Sequence, residues 1–584
     1  MNQVIDLKKI PPEQIVGREC KHVSYTESRA NDDDDLLTVK ELVYVKQGDE
    51  IITVPNLTFI KNYKRPFWIT KEKFRDHTDK KEVEYADKLK ECQSTQRALG
   101  KSIVKQLGYG NPQQQLRVIN RSPFVYGADV TPQTLVKRKY KERWPNMFTT
   151  NKVAVLDTET DMWKGNGKDV IISTVTMKDK VILTILDTWI ADIPDPINSI
   201  HKAVNKHLKK YLDERNMVIE IEILKSPGQM IKRCIDKCHE WQPEFVVAWN
   251  MDFDITVAVR ALEAEGYDLP DVFSDPRVPN EFKHFRYKQG PTSKVKADGT
   301  VENLPPSDRW NVVEAPASFV WIDPMCVYRN IRRAAGKEPS YSLDYTLKRN
   351  LGEDFGKLYF DTGDSSAVNG SVEWHMQMQK NYKVNYVVYN IFDCLGVELL
   401  DEKTTDLGTQ ISILSESSEY TVFNSNPKRN VNEFYFSMLP NGLIAGTCSD
   451  RMEDENDKSL LGKEGWIVTL PTHNVVPNGV YLIKELPNVR SGVRKAVSDA
   501  DIGSTYPNGE ILMNLSKMTT MMELCRVDGV LPSNQRLLGV NLTGGPVNAI
   551  EIMTSALKAP NSFDLLEAFQ AELREDQLRL ASVV

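Results

Sequence analysis

Val153-Ala154-Val155-Leu156-Asp157-Thr158-Glu159-Thr160 is an apolar run that ends on two acids. Its aliphatic, largely β-branched residues read as a short buried strand. Side chains alternate along a strand, so Asp157 and Glu159, two residues apart, leave its end on one face. Carboxylates held side by side repel each other unless a cation lies between them, which makes the pair a candidate metal platform. An Asp-x-Glu pair also closes ordinary solvated turns, so the reading depends on what the rest of the chain supplies.

The chain has 584 residues, enough for several domains and more than one core. Its 41% apolar and 27% charged residues are those of a soluble globular protein. No apolar run is long enough to cross a bilayer and no N-terminal signal pattern is present, so no membrane partner is expected. Eight scattered cysteines do not form a disulfide pattern and suit a reducing cytoplasm, that of a host cell if the source is viral. Cys234, Cys238 and His239 fall on an amphipathic helical pattern without a second ligand pair, and read as core residues. The net charge of −7 means that any DNA contact must come from local patches or be helped by a basic partner.

Residues 1–150 read as an N-terminal domain, with strand-like runs Leu42-Val43-Tyr44-Val45 and Glu50-Ile51-Ile52-Thr53-Val54 among charged helical patterns. The acidic run Asp32 to Asp35 reads as a solvated loop. Two segments, Lys61 to Trp68 and Lys137 to Trp144, interleave cations with aromatics. Such segments either neutralise phosphates and stack on unpaired bases, or form a charged surface over a buried aromatic edge.

Residues 151–405 alternate strand and helix patterns, an α/β arrangement. In Phe245-Val246-Val247-Ala248-Trp249-Asn250-Met251-Asp252-Phe253-Asp254 a second apolar strand runs into polar residues, and Ile255 to Glu265 continues as a helix. Asp254 at this junction is either a metal ligand or a helix cap, and Asn250 either holds the bend or reaches a bound strand. Lys283 to Ala317 is basic and turn-rich; Arg286-Tyr287-Lys288 and Trp310-Asn311-Val312-Val313 read as the arms of a protruding hairpin. Phe319-Val320-Trp321-Ile322-Asp323 is another strand ending on an acid. Finally Val384, Val388, Ile391, Leu395 and Leu399 form an apolar helical stripe, with Tyr389 and Asp393 one turn apart beside it.

Three stations in this order, Asp157-x-Glu159, Asn250-x-x-Phe253-Asp254 and Tyr389-x-x-x-Asp393, resemble the three exonuclease motifs of proofreading DNA polymerases of the tyrosine subtype. Tyr341-Ser342-Leu343-Asp344-Tyr345 also resembles family B sequence between the second and third motifs. The resemblance implies an RNase H-like 3′→5′ exonuclease domain over 151–405. Asp157, Glu159, Asp254 and Asp393 would hold two magnesium or manganese ions for phosphodiester hydrolysis, with Tyr389 orienting the attacking water. Asn250 and Phe253 would meet the DNA strand.

Val497-Ser498-Asp499-Ala500-Asp501-Ile502-Gly503-Ser504-Thr505-Tyr506-Pro507 resembles the first palm motif of the same family, with Thr505 where Leu is usual. It implies an incomplete palm over 456–584: Asp501 as a polymerase metal ligand, Ser504 and Thr505 at the triphosphate, and Tyr506 under the incoming sugar. Residues 406–455 would link the two parts and return to the N-terminal domain. No fingers motif and no second palm aspartate motif follows Gly509. The layout resembles the N-terminal part of T-even-like bacteriophage polymerases, some relatives of which are encoded in two pieces. The expected function is therefore proofreading exonuclease and partial palm of a split family B DNA polymerase in DNA replication. Its expected partners are single-stranded 3′ ends, primer–template DNA, a second polypeptide with fingers, the rest of the palm and a thumb, and, as a further candidate, a sliding clamp. A free-standing 3′→5′ exonuclease and a catalytically silent DNA-binding scaffold are the alternatives.

Overall fold

A computed structural model describes Leu7 and residues 10–446, apart from 79, 82, 109–115, 121, 166, 296–299 and 365. Beyond these it describes three strands, Met521–Cys525, Leu537–Leu542 and Gly545–Asn548, which form an antiparallel sheet in that order. Asp501, Ser504, Thr505 and Tyr506 lie outside the described residues. The chain divides into two compact units, Met1–Ser449 and Asp450–Val584, and its fold is mixed α/β with several small sheets.

In the first unit, β1 (Ile15–Glu27), β2 (Asp35–Gln47) and β3 (Glu50–Lys61) form an antiparallel sheet. A two-residue turn joins β2 to β3, and Gly48 takes the left-handed φ of 62° that such hairpins favour. The acidic run is not all loop: Asp35 opens β2, is buried, and accepts from the Arg97 amide. Three short strands follow as β4 (Arg65–Thr70), β5 (Val83–Tyr85) and β6 (Leu89–Ser94), then α1 (Leu99–Leu107), β7 (Val125–Tyr126) and α2 (Pro132–Arg143), which Thr131 caps. Both cation–aromatic segments turn key side chains inward. Phe67 and Trp68 are core, and buried Arg65 bonds Gly127 O and Gln96. Buried Lys137 donates to Ser418 O beneath the Tyr420 ring, and Tyr140 donates to Glu41. These groups complete inter-element hydrogen bonds, which agrees with the second of the two readings, a charged surface over a buried aromatic edge.

The strand read from the sequence is β8 (Val153–Thr160), followed by β9 (Val170–Met177), β10 (Lys180–Leu186) and α3 (Pro196–His207). Then come β11 (Val218–Leu224), α4 (Pro227–Trp241), β12 (Phe245–Val247) and α5 (Met251–Ala264). Buried Cys234, Cys238 and His239 all lie on α4, as core residues. The basic segment forms two ladders, β13 (Arg286–Lys288) with β16 (Val312–Glu314), and β14 (Ser293–Val295) with β15 (Val301–Asn303). After β17 (Val320–Ile322) come α6 (Pro324–Ile331), α7 (Leu343–Leu351), α8 (Val372–Asn381), α9 (Lys383–Thr404) and α10 (Asn426–Met438). Strand β18 (Leu443–Ala445) pairs with β5, and Tyr435, Phe436 and Ile444 share a core cluster with Trp68, Leu89 and Tyr126.

The central sheet has the order β11-β10-β9-β8-β12-β17, with β8, β12 and β17 parallel. Alternation splits its core between two faces. Ala154 and Leu156 meet α4 and α5, while Val155 meets Cys394 and Val397 of α9. The 22-residue α9 is buried over most of its length, so its apolar surface extends beyond the single stripe read from sequence. Among the described residues no helix is long and apolar enough to cross a membrane.

Candidate metal centre

Three parallel strands lie side by side, and each carries an acid in its last residues or just beyond them. Carboxyl ends of such strands are the usual place for a ligand in α/β sheets. The last four residues of β8 include Asp157 and Glu159. β12 turns into α5 through Asn250, whose left-handed φ of 67° makes the bend, and Asp254 follows in the first turn of α5. β17 runs into Asp323, which caps α6. One carboxylate there holds two helix starts: Oδ1 accepts from Met325 N at 2.9 Å and Asn250 N at 3.3 Å, and Oδ2 from Met251 N at 3.0 Å.

Asp157, Glu159 and Asp393 each offer an oxygen to one group whose members lie within 4.8 Å of one another. β8 supplies the first two because they are two residues apart. α9 supplies the third, together with Tyr386, Tyr389 and Asn390, at spacings of three, four and seven that put all four on one helix face. Asn390 Nδ2 donates to Asp157 Oδ2 at 2.6 Å while its own oxygen accepts the Thr174 hydroxyl. The Tyr386 hydroxyl donates to Glu159. Lys357 lies 2.6 Å from Asp393 Oδ2 and donates to the Tyr389 oxygen, also at 2.6 Å.

Asp254 stands outside this group. Its Oδ1 accepts from both the amide of Thr158, at 3.1 Å, and the Thr158 hydroxyl, at 2.7 Å. The reason is local: the β8–β12 ladder stops at Val155 and Val247, so the edge beyond it needs another acceptor. Asp254 fills that place and still bears on Asp157 as a neighbouring negative charge.

Burial dominates the electrostatics of all four acids. Burial first, then Asp393, Asp254 and Glu159, push Asp157 well above the ordinary carboxylate range. Burial raises Glu159 to about 8 against the Tyr386 hydrogen bond, and raises Asp254 to about 7 against those from Thr158. Burial also raises Asp393, opposed by Lys357. Lys357 is itself held above the usual lysine range: burial opposes its charge, but Asp393 and Asp157 outweigh it. One ammonium cannot neutralise four crowded carboxylates, and Asp393 Oδ1 is buried without any hydrogen-bond partner. Hard oxygen donors, excess negative charge and an unpartnered carboxylate oxygen fit a divalent cation.

Phe253, one residue before Asp254, is 44% exposed at the start of α5. Sequence reading did not single out Lys357, Tyr386 or Asn390. The two α9 residues carried a signal, the helical spacing they share with Tyr389 and Asp393; Lys357 comes from the irregular segment between α7 and α8 and carried none. No family model matches the chain, and no curated protein matches it either.

Proposed function

We propose that this chain is a metal-dependent 3′→5′ DNA exonuclease, the proofreading part of a family B DNA polymerase. The observation that carries the reading is the buried three-acid group, with its unpartnered oxygen, at the end of the central strand. The mixed sheet with helices on both faces supports the RNase H-like expectation. Asp157, Glu159 and Asp393 would hold magnesium or manganese, two ions in the full site, with Asp254 bordering them. The ions supply Lewis acidity for phosphodiester hydrolysis. The chain's own residues do the rest. Lys357 opposes the rise that burial imposes on Asp393 and adds positive charge where a phosphate arrives. Tyr389, whose oxygen accepts from Lys357, would orient the attacking water. Phe253 stacks on the terminal base, and Asn250 lies where the strand passes. Paired β13–β16 and β14–β15 form the hairpin that parts a primer end from its template. The palm-like stretch around Asp501 extends the proposal to polymerisation with a second polypeptide bearing fingers, the rest of the palm and a thumb.

The test is digestion of a labelled single-stranded oligonucleotide with magnesium present. Asp157→Ala with Glu159→Ala is expected to lower the rate by at least about a thousandfold, because two of three ligands are gone. Undiminished digestion by the double variant would remove the assignment.

A further inference from the structure

The two tyrosines that α9 turns toward β8 make different contacts. Their rings stack, with 5.7 Å between centroids and 8° between planes. The Tyr389 oxygen accepts from Lys357, whereas the Tyr386 hydroxyl donates to Glu159. A phenol has a single proton, so with that proton on Glu159 the Tyr386 oxygen can only accept from its other neighbours. His375 Nδ1 at 2.7 Å and Gln379 Nε2 at 3.3 Å take those places, which assigns the Nδ1–H tautomer to His375.

Both of these side chains come from α8, and Gln379 does more than back the phenol. It is fully buried, its Nε2 donates to Thr160 O at 2.8 Å, and its Oε1 accepts from the amides of Met162 at 2.8 Å and Trp163 at 3.2 Å. One helix thus fixes the backbone that follows Glu159 and the hydroxyl that grips its carboxylate. Glu159 needs this grip. Its side chain has more rotatable bonds than an aspartate, and Asp157 and Asp393 repel it from the place where it is needed.

We infer that Tyr386 is a positioning residue for Glu159: backed by Gln379 and His375, it holds the carboxylate beside Asp157 and Asp393 ready for a divalent cation. This rests on the metal-centre reading above and adds to it the group that preorganises the ligand. Groups that orient a metal ligand change cation affinity by about 10–100-fold when removed.

The experiment titrates Mn2+ into the full chain without DNA, by calorimetry and by electron paramagnetic resonance of the free ion. Tyr386→Phe keeps the stacked ring and removes only the hydroxyl. It is expected to bind Mn2+ at least about tenfold more weakly, with the melting temperature within about 2 °C of wild type. The Mg2+ concentration for half-maximal digestion rises by the same factor, and saturating Mg2+ restores the rate. Gln379→Met, which removes the amide behind the phenol, weakens Mn2+ binding in the same direction and guards against a folding defect peculiar to one variant. Wild-type affinity in Tyr386→Phe overturns the proposal, whatever Gln379→Met does, because Gln379 also holds the backbone after Glu159. Absence of Mn2+ binding by the wild-type chain overturns the metal-centre reading itself, a distinct result.

Discussion

His22 of β1 is 2% exposed, and its Nε2 faces Ala317 O at 2.9 Å, linking the first sheet to the strand that leads to Asp323. Burial first, with Lys40 and Lys137 adding to it against the Ala317 hydrogen bond, pushes its pKa down to about 3 from an ordinary 6.5. The folded state therefore keeps the ring neutral over a range in which the unfolded chain takes up a proton. The stability this lends is complete above the unfolded value and falls as pH drops below it. At about 1.4 kcal/mol per unit, going from pH 6.5 to about pH 5 costs about 2 kcal/mol. His22→Gln keeps a donor for Ala317 O and cannot titrate. Urea unfolding at about pH 7 and about pH 5 is expected to show a smaller loss for the variant, by about 2 kcal/mol. His375, pushed down to about 4 chiefly by burial, leaves a residual slope in both proteins. Equal losses in the two would mean that His22 is not neutral in the fold.

At the scale of the element, the hairpin is not an independent arm. The Tyr287 hydroxyl and Gln289 amide both donate to Asp252, in the same turn of α5 as Phe253 and Asp254. Anything that moves the arm is thus felt at the strand-to-helix junction of the site. Replacing 291–304 by a short glycine linker leaves Tyr287, Gln289 and the β13–β16 ladder in place. Single strands should then be digested at a rate within about twofold of wild type, whereas paired ends lose the help of the arm. Opening one pair costs about 1.4 kcal/mol, so paired ends should be digested about tenfold more slowly for each pair that must open. Equal losses on both substrates would reduce the arm to a structural role. Its pairing was legible because two short arms, Arg286–Lys288 and 310–313, flank a basic, turn-rich middle. Asp157 and Glu159 were legible from strand alternation, and Tyr389 with Asp393 from helical spacing. The place of Asp254 was not: it depends on β12 stopping at Val247, which leaves the Thr158 amide for a side chain to satisfy. Lys357 reaches Asp393 from an irregular segment, and no periodicity in the chain announces such a contact.

For the whole molecule, the question is which stretch of chain suffices for the proposed exonuclease. Asp157, Glu159 and Asp393, and Lys357, Tyr386 and Asn390 that contact them, belong to Met1–Ser449. That unit is knit across its sequence: Asn151 donates to Leu407 O, Arg332 pairs with Asp406, and Phe436 and Ile444 complete the cluster around Trp68. Cutting after 405 would strip all three of these ties and expose apolar surface, so such a fragment should aggregate. Residues 1–449 by themselves should fold and shorten single-stranded DNA at a rate within about threefold of the full chain, a difference of less than about 1 kcal/mol in barrier. A loss beyond about tenfold, more than about 1.4 kcal/mol, would place part of the exonuclease site in residues 450–584. The complementary variant is Asp501→Ala in the full chain. If Asp501 belongs to a separate polymerase site, this substitution leaves shortening untouched. It should also abolish primer extension by the full chain mixed with a polypeptide carrying the remaining polymerase parts, because the two reactions then use different ions. Extension that survives Asp501→Ala, or shortening that disappears with it, would contradict the division of labour proposed for the two units.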